Sequence, residues 1–411
     1  MHKFWRLAIF AVIGAVLSWC AAARAEAPTE PIKLGILNDQ SGPFRDLGGP
    51  WSVEAARMAA EDFGGSVLGR KVEIVFADHQ NKADIGAGIA RRWFDNENVT
   101  ALMDVMVSSV ALAVQELARE RHKIVMYSGA ASSDLTGKLC SPTSVQWTWD
   151  SYAVDATLTK PIIRSGGDTW FFIAVDYAFG EALQRDATAM IVPLGGKVVG
   201  SIRHPVGNQD FASFLLQAQA SKAKVIALAD AGQDMSNAVK QAAEFGIVDA
   251  GQKLVGLSAN ISDVHSMGLQ LAHGLLLAEP FYWDMNDASR TWSKRFLART
   301  GRMPNLTMAG VYGSTLGYLK AVQTAGTTDS DAVMATLKKT RINDFMTKDG
   351  WIREDGRMMR DFYLFEVKKP SESTGPWDYY RLVQTVPAEE AARPLSESVC
   401  PLVKHAAEKP K

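Results

Sequence analysis

Apolar and polar positions follow two alternating periods along this chain. Short β-branched runs that end in small hydroxyl or glycine residues predict strands. Stretches with apolar residues at i, i+3, i+4 and i+7 predict helices with one buried stripe. The pattern is clearest in Ala101–Gly137, ALMDVMVSSVALAVQELARERHKIVMYSGAASSDLTG. It predicts a strand Leu102–Met106, a loop Val107-Ser108-Ser109 and a helix from Val110 to Arg121 carried by Val110, Ala113, Val114 and Leu117. A second strand Ile124–Tyr127 then leads into the loop Ser128–Asp134.

Upstream, the same rhythm predicts a strand Ile32–Leu37, a helix Ser52–Phe63 stopped by Gly64-Gly65, a strand Lys71–Ala77 and a helix Asp84–Phe94. It breaks at Val145–Tyr152, VQWTWDSY. It resumes with strand Thr169–Val175, helix Glu181–Val192, strand Lys197–Arg203, helix Phe211–Ala220, strand Lys224–Leu228, helix Met235–Phe245 and strand Lys253–Leu257. Leu275–Trp283 reads as a crossing strand. Helices follow at Ser289–Arg299, at Met308–Ala325 (where Gly310, Gly313 and Gly317 allow close packing) and at Asp331–Thr340. Arg360–Val367 and Asp378–Val383 read as a β-hairpin. Repeated βα units imply mostly parallel sheets, and a length of 411 residues suits two lobes.

In open α/β sheets, ligands bind at the carboxyl ends of the strands. There Ser108, Ser109 and Ser132 are either helix caps or hydroxyls for an anion at a helix N-terminus. Asp230 and Gln233, after another strand, face the cleft or cap a helix. Asp263-Val264-His265 is a cap with a surface histidine, or an acid–base pair. Trp147, Trp149 and Tyr152 at the break, and Phe281, Tyr282 and Trp283 at the second crossing, either wall a flat apolar ligand or stiffen the junction. Of these, Trp149 and Tyr282 are the stronger ligand candidates.

The N-terminus bears on compartment. Lys3 and Arg6 precede the apolar Leu7–Leu17, and Ala23-Arg24-Ala25 precedes Glu26, the three-part pattern of a secretory leader cleaved near Ala25. The apolar run is shorter than the roughly 20 residues that span a bilayer. Trp19 before Cys20 departs from a lipidation site. The expected product is exported and soluble. Losing Lys3, Arg6 and Arg24 moves the net charge from −1 to −4, and no basic cluster points to nucleic acid or an anionic membrane. Cys140 and Cys400 then remain, as a long-range disulfide or as two free buried thiols. No metal-ligand spacing, phosphate loop, G-x-S-x-G or HExxH occurs, so neither cofactor, metal nor catalysis is expected.

Several stretches carry a family resemblance, in family order: IKLGILNDQSGPFRDLGG (Ile32–Gly49), GSVLGRKVEIVFADHQNKAD (Gly65–Asp84), SSVALAVQELA, SGAASSDLTG, DYAFGEAL (Asp176–Leu183) and HPVGNQDFASFLLQAQ (His204–Gln219). The chain resembles the periplasmic solute-binding proteins of ABC importers, of the leucine/isoleucine/valine-binding type. The resemblance implies an α/β fold of two Rossmann-like lobes joined by a three-strand hinge. Residues 30–148 and 282–350 would form the first lobe, 149–281 and 351–403 the second, and 404–411 a frayed tail. It implies a monomeric periplasmic receptor that closes on a small organic anion and delivers it to a membrane permease. By the same resemblance Ser108, Ser109, Ala130, Ala131 and Ser132 hold a carboxylate, and Tyr177 and Phe179 cover the ligand. In amino-acid-binding members an acidic residue meets the ammonium. Here its position falls near Ala259–Asn260, with Asp263 as the nearest substitute, and Ala131 stands where a threonine is common. These departures argue against an ordinary amino acid, and a closer resemblance to a branch of the family associated with aromatic or related catabolic acids implies a ligand of that class. The alternatives are an amino-acid or amide receptor, a ligand-sensing domain, or a secreted α/β enzyme.

Overall fold

The two periods resolve into two parallel-rich sheets. The computed structural model describes residues 30–403; the expected leader, 1–25, and tail, 404–411, lie outside them. The first sheet is built from β1 (Ile32–Asn38), β2 (Ser66–Val67), β3 (Arg70–Asp78), β4 (Val99–Val105), β5 (Ile124–Tyr127) and β6 (Ser144–Gln146). Between them run α1 (Gly49–Phe63), α2 (Ala83–Asp95) and α3 (Ser108–Glu120). The strand order is β2-β3-β1-β4-β5-β6, and every pair except β2–β3 is parallel.

The second unit contains α4 (Ser151–Arg164), β7 (Thr169–Val175), α5 (Ala178–Ile191), β8 (Lys197–His204), α6 (Ala212–Ala220), β9 (Val225–Ala229), α7 (Gly232–Glu244), β10 (Lys253–Gly256), α8 (Ile261–Met267), α9 (Leu269–Ala272) and β11 (Leu276–Glu279). Three helices then return to the first sheet: α10 (Asp287–Thr300), α11 (Leu306–Ala325) and α12 (Ser330–Lys339). The chain ends with β12 (Trp351–Ile352), β13 (Met358–Met359), β14 (Phe362–Val367), β15 (Tyr380–Val386) and α13 (Ala388–Ala391). The second sheet has the order β15-β14-β11-β10-β9-β7-β8, antiparallel only where β14 pairs with β11 and β15.

Burial explains the strand patterns. β9 (VIALA) is buried at every position because helices cover both faces, so its sequence is a continuous apolar run. β8 lies at an edge and alternates between exposed and half-covered residues. Among the described residues no helix is long and apolar enough to cross a membrane.

The chain passes between the sheets at 147–150, 280–286 and 340–361. In the first passage, fully buried Trp147 lies against α11, where added Cβ atoms at Gly313 and Gly317 would sit 3.1 and 2.7 Å from its indole. The glycines in α11 thus make room for the passage. The expected strand Leu275–Trp283 is narrower, ending at Glu279, because residues beyond it leave the sheet to reach α10. The break at VQWTWDSY conceals a short strand, β6, and the start of α4. Asp150 caps α4, its carboxylate accepting from Ala153 N at 2.7 Å.

The C-terminal part is less simply divided than expected. Residues 351–359, expected in the second lobe, form the β12–β13 hairpin, which packs on α12 and bridges Gln146 through Arg357. The tail packs α13 on α4 and then returns to the first lobe, where Cys400 is disulfide-bonded to Cys140 with Cα atoms 5.6 Å apart.

Candidate ligand-binding cleft

The loop after β1 is the first wall of the site. Asp39, fully buried, accepts from Ser41 N, Gly42 N and Phe44 N at 3.2, 2.6 and 2.9 Å, and from Asn81 Nδ2 at 2.8 Å. This knot of hydrogen bonds turns Phe44 and Leu47 toward the second lobe. Neither was singled out from sequence; the signal was the Asp-x-Ser-Gly-Pro turn, in which an aspartate binds backbone N–H groups just ahead of it.

The second wall is the start of α3. The helix begins two residues earlier than its apolar stripe suggests, and its N-cap is Val107, at φ +68°. A β-branched residue in this region is a true outlier, and no side chain caps the first turn. The serines are therefore not the caps of α3. Ser108 instead accepts from Ser132 N through its hydroxyl at 3.1 Å, which ties the two loops together. Ser132 does act as a cap, but of the short turn Ser133–Leu135, accepting from Asp134 N at 3.4 Å. Buried Asp104 accepts from Ser128 N and Gly129 N at 3.2 and 2.9 Å below the second loop. Burial raises its carboxyl to about 7, opposed by those two bonds.

The second lobe supplies Tyr177, Phe179, Ala231 and Ser258. Helix α5 starts at Ala178, three residues ahead of its expected position, so Phe179 sits in its first turn. Trp149, from the first passage, donates to Ser128 O at 3.1 Å and meets Phe179 edge-on with ring centroids 6.0 Å apart. Phe44 faces Tyr177 across the cleft at 6.3 Å. Ser108, Ala130, Ala131, Trp149, Tyr177 and Phe179 thus share one cavity, and among the described residues none of those lining it is charged.

The lobes are closed over this cavity. Gln233 N donates to Pro43 O at 3.5 Å, Asn305 Nδ2 to Ser262 Oγ at 3.4 Å, and Ser133 Oγ to Asp186 Oδ2 at 2.5 Å. The cavity volume is ≈ 20 Å³, about one water. A ligand enters this cavity only with the lobes further apart.

Other expected residues stand elsewhere. Ser109 and Ser132 are absent from the lining. Asp263 is not free for a ligand cation. It belongs to the capping box of α8, accepting from Asn260 N and Nδ2 at 3.0 and 2.6 Å, and burial raises its carboxyl to about 8. Asp230 turns behind the wall, with its Oδ2 3.0 Å from His204 Nε2. Tyr282 is a junction residue: it donates to Trp377 O at 2.9 Å, accepts from Tyr379 N at 3.0 Å and stacks on Tyr380. Its neighbour Phe281 packs on Trp292 and Phe345. The second passage therefore stiffens the junction.

Residues 31–375 match the sequence profile of the periplasmic binding proteins. The chain belongs to that family. It is similar to a periplasmic binding protein from Burkholderia mallei, with 46% identity and a TM-score of 0.89 over 91% of this chain and 100% of the other. It is also similar to a branched chain amino acid ABC transporter periplasmic ligand-binding protein from Burkholderia xenovorans LB400, with 39% identity and a TM-score of 0.82 over the same shares. A solute binding protein of an ABC transporter from Rhodopseudomonas palustris BisB5, in complex with 3,4-dihydroxy benzoic acid, shares the fold at 20% identity, with a TM-score of 0.79 over 87% and 98% of the two chains. As a periplasmic binding protein, the chain is a solute-binding component of ABC transport, and the family implies a periplasmic location. The fold is the expected pair of α/β lobes.

Proposed function

We propose that this receptor closes on a small organic carboxylate, with an aromatic acid as its preferred ligand, and presents it to an ABC permease. One observation carries the reading. The cavity joins aromatic walls to an uncapped helix N-terminus, and none of its lining residues is charged. An anion finds N–H groups and the helix dipole at α3. A ligand ammonium would be buried without a counter-charge, which is expensive, since Asp230 and Asp263 are engaged elsewhere. In this reading Ser108 and the backbone of Ala130 and Ala131 hold the carboxylate, and Trp149, Tyr177 and Phe179 cover the ring. The dihydroxybenzoate-bound relative from Rhodopseudomonas supports the ligand class at the level of fold.

The relative from Burkholderia xenovorans, more similar in sequence and described by branched chain amino acids, supplies the competing reading. A thermal-shift panel of benzoate, 4-hydroxybenzoate, 3,4-dihydroxybenzoate, aliphatic carboxylates, leucine, isoleucine and valine separates the two. Stabilisation by the benzoates is expected, amounting to about 2.7 kcal/mol at a hundredfold excess over Kd. Stabilisation by the amino acids alone overturns the proposal.

A further inference from the structure

Behind the wall formed by Ala231, three side chains converge. His204 ends β8, Asp230 follows β9 and Asp234 lies in the first turn of α7. All three are buried, and one potential ligand atom from each lies within 4.8 Å of the other two. Each is oriented by backbone at its other polar atom. His204 Nδ1 lies 3.0 Å from Pro205 O, Asp230 Oδ1 accepts from Ala231 N at 2.8 Å, and Asp234 Oδ2 accepts from Gly207 N at 2.8 Å. A carbonyl only accepts, so Nδ1 carries the proton. In a neutral ring, Nε2 then turns its lone pair to Asp230 Oδ2, 3.0 Å away. Asp234 Oδ1, on a residue with no exposed surface, has no hydrogen-bond partner.

Three acceptors therefore face one point. A proton shared by His204 and Asp230 satisfies two of them, but it leaves Asp234 Oδ1 unpaired and the cluster at net −1. A buried carboxylate oxygen left unpaired is destabilising. A divalent cation satisfies all three and balances the two carboxylates. We propose that His204 Nε2, Asp230 Oδ2 and Asp234 Oδ1 bind a divalent transition-metal ion of the zinc type. One imidazole with two carboxylates suits that class, whereas calcium takes six to eight oxygens. Tetrahedral zinc distances put neighbouring ligand atoms about 3.3 Å apart. The His204–Asp230 separation is already close to this, and Asp234 Oδ1 lies within 4.8 Å of both partners. Backbone contacts at the other polar atoms are the outer-shell support that such sites use. The ion braces the turn between β9 and α7, whose Ala231 lines the cleft and whose Gly232 approaches Pro43 of the first lobe.

The test uses untagged protein stripped with a chelator and titrated with zinc chloride by calorimetry, with bound metal counted after gel filtration. One ion per chain and a raised unfolding temperature are expected. Asp234→Asn should bind zinc more than about tenfold more weakly. Cobalt-loaded wild type should show the visible absorption of a nitrogen/oxygen site, which decides the matter if the variant does not fold. No stoichiometric binding by wild type, a featureless cobalt spectrum, or unchanged zinc affinity in folded Asp234→Asn overturns the proposal.

Discussion

Replacing Gly232 with alanine separates lobe closure from folding. Gly232 starts α7 at φ +62°, and an added Cβ would lie 2.7 Å from Pro43 O and 3.3 Å from the Phe44 ring, both in the first lobe. Two penalties follow. The left-handed backbone costs an alanine about 1–2 kcal/mol whether or not the lobes touch. The clash exists only when they are closed. Ordinary contact begins at 3.4 Å, so the closed lobes must retreat by about 0.7 Å, which stretches the 3.5 Å Gln233–Pro43 hydrogen bond beyond use. Overpacking of this kind costs about 1–3 kcal/mol. Gly246, at φ +61° with nothing within 4 Å of an added Cβ, carries the first penalty alone, so Gly246→Ala is the reference. The two variants should lose similar thermal stability. Gly232→Ala should bind its ligand about 5- to 150-fold more weakly than Gly246→Ala. Calorimetric titration with the acid selected by thermal shift measures this, and small-angle scattering with the same acid reports the closed fraction. Equal affinities in the two variants would refute the reasoning, since the ligand-bound state could not then contain the Gly232–Pro43 approach.

Ser108→Ala removes a hydroxyl at the proposed carboxylate position. It should raise Kd about 10- to 100-fold, the range for a hydrogen bond to a charged group, and also lower the unfolding temperature, because buried Ser132 N loses its acceptor; titration and thermal unfolding of both proteins check this. Burial holds His79 neutral and lowers it to about 4, while its Nδ1 accepts from Asn81 N at 3.0 Å. The folded state thus resists a proton that the unfolded chain takes up near 6.5. The stability contributed is full above that pH and is lost as pH falls toward 4. His79→Asn keeps the acceptor, so in urea unfolding at pH 7.5 and 4.5 the wild type should lose about 2–3 kcal/mol more than the variant. Cys140 and Cys400 are 260 residues apart in sequence. Their joint replacement by serine should cost about 5–6 kcal/mol by the loop-entropy argument, read by calorimetry of the two proteins.

Much of the fold was legible in the chain, because helix and strand periods are set by near neighbours. The strand at Thr169–Val175 has the expected limits, and the loops after β4 and β5, recognised as candidate ligand loops at strand ends, line the cleft. Phe179 and Trp149 were found by position and reach the cleft. Phe44 was missed because a lone aromatic in a turn gives no periodic signal, and it is aimed only by the Asp39 hydrogen bonds.

The order of elements, the parallel sheets, the family and the loops that meet in the cleft were properties of the amino-acid sequence. Which polar groups face that cleft was not. Asp230, Asp263 and Tyr282 are as polar as Ser108, yet each is turned away by a partner: a local one, Asn260, for Asp263, and ones that only the folded chain supplies, His204 for Asp230 and the backbone of Trp377 and Tyr379 for Tyr282. The same holds for the cysteines, 260 residues apart in sequence and brought to a Cα separation of 5.6 Å. Local spacing selects secondary structure through contacts three or four residues apart. The direction of a side chain is settled by competition among hydrogen-bond and packing partners at any separation, from 3 residues for Asp263 to 97 for Tyr282, and that competition is resolved in tertiary structure.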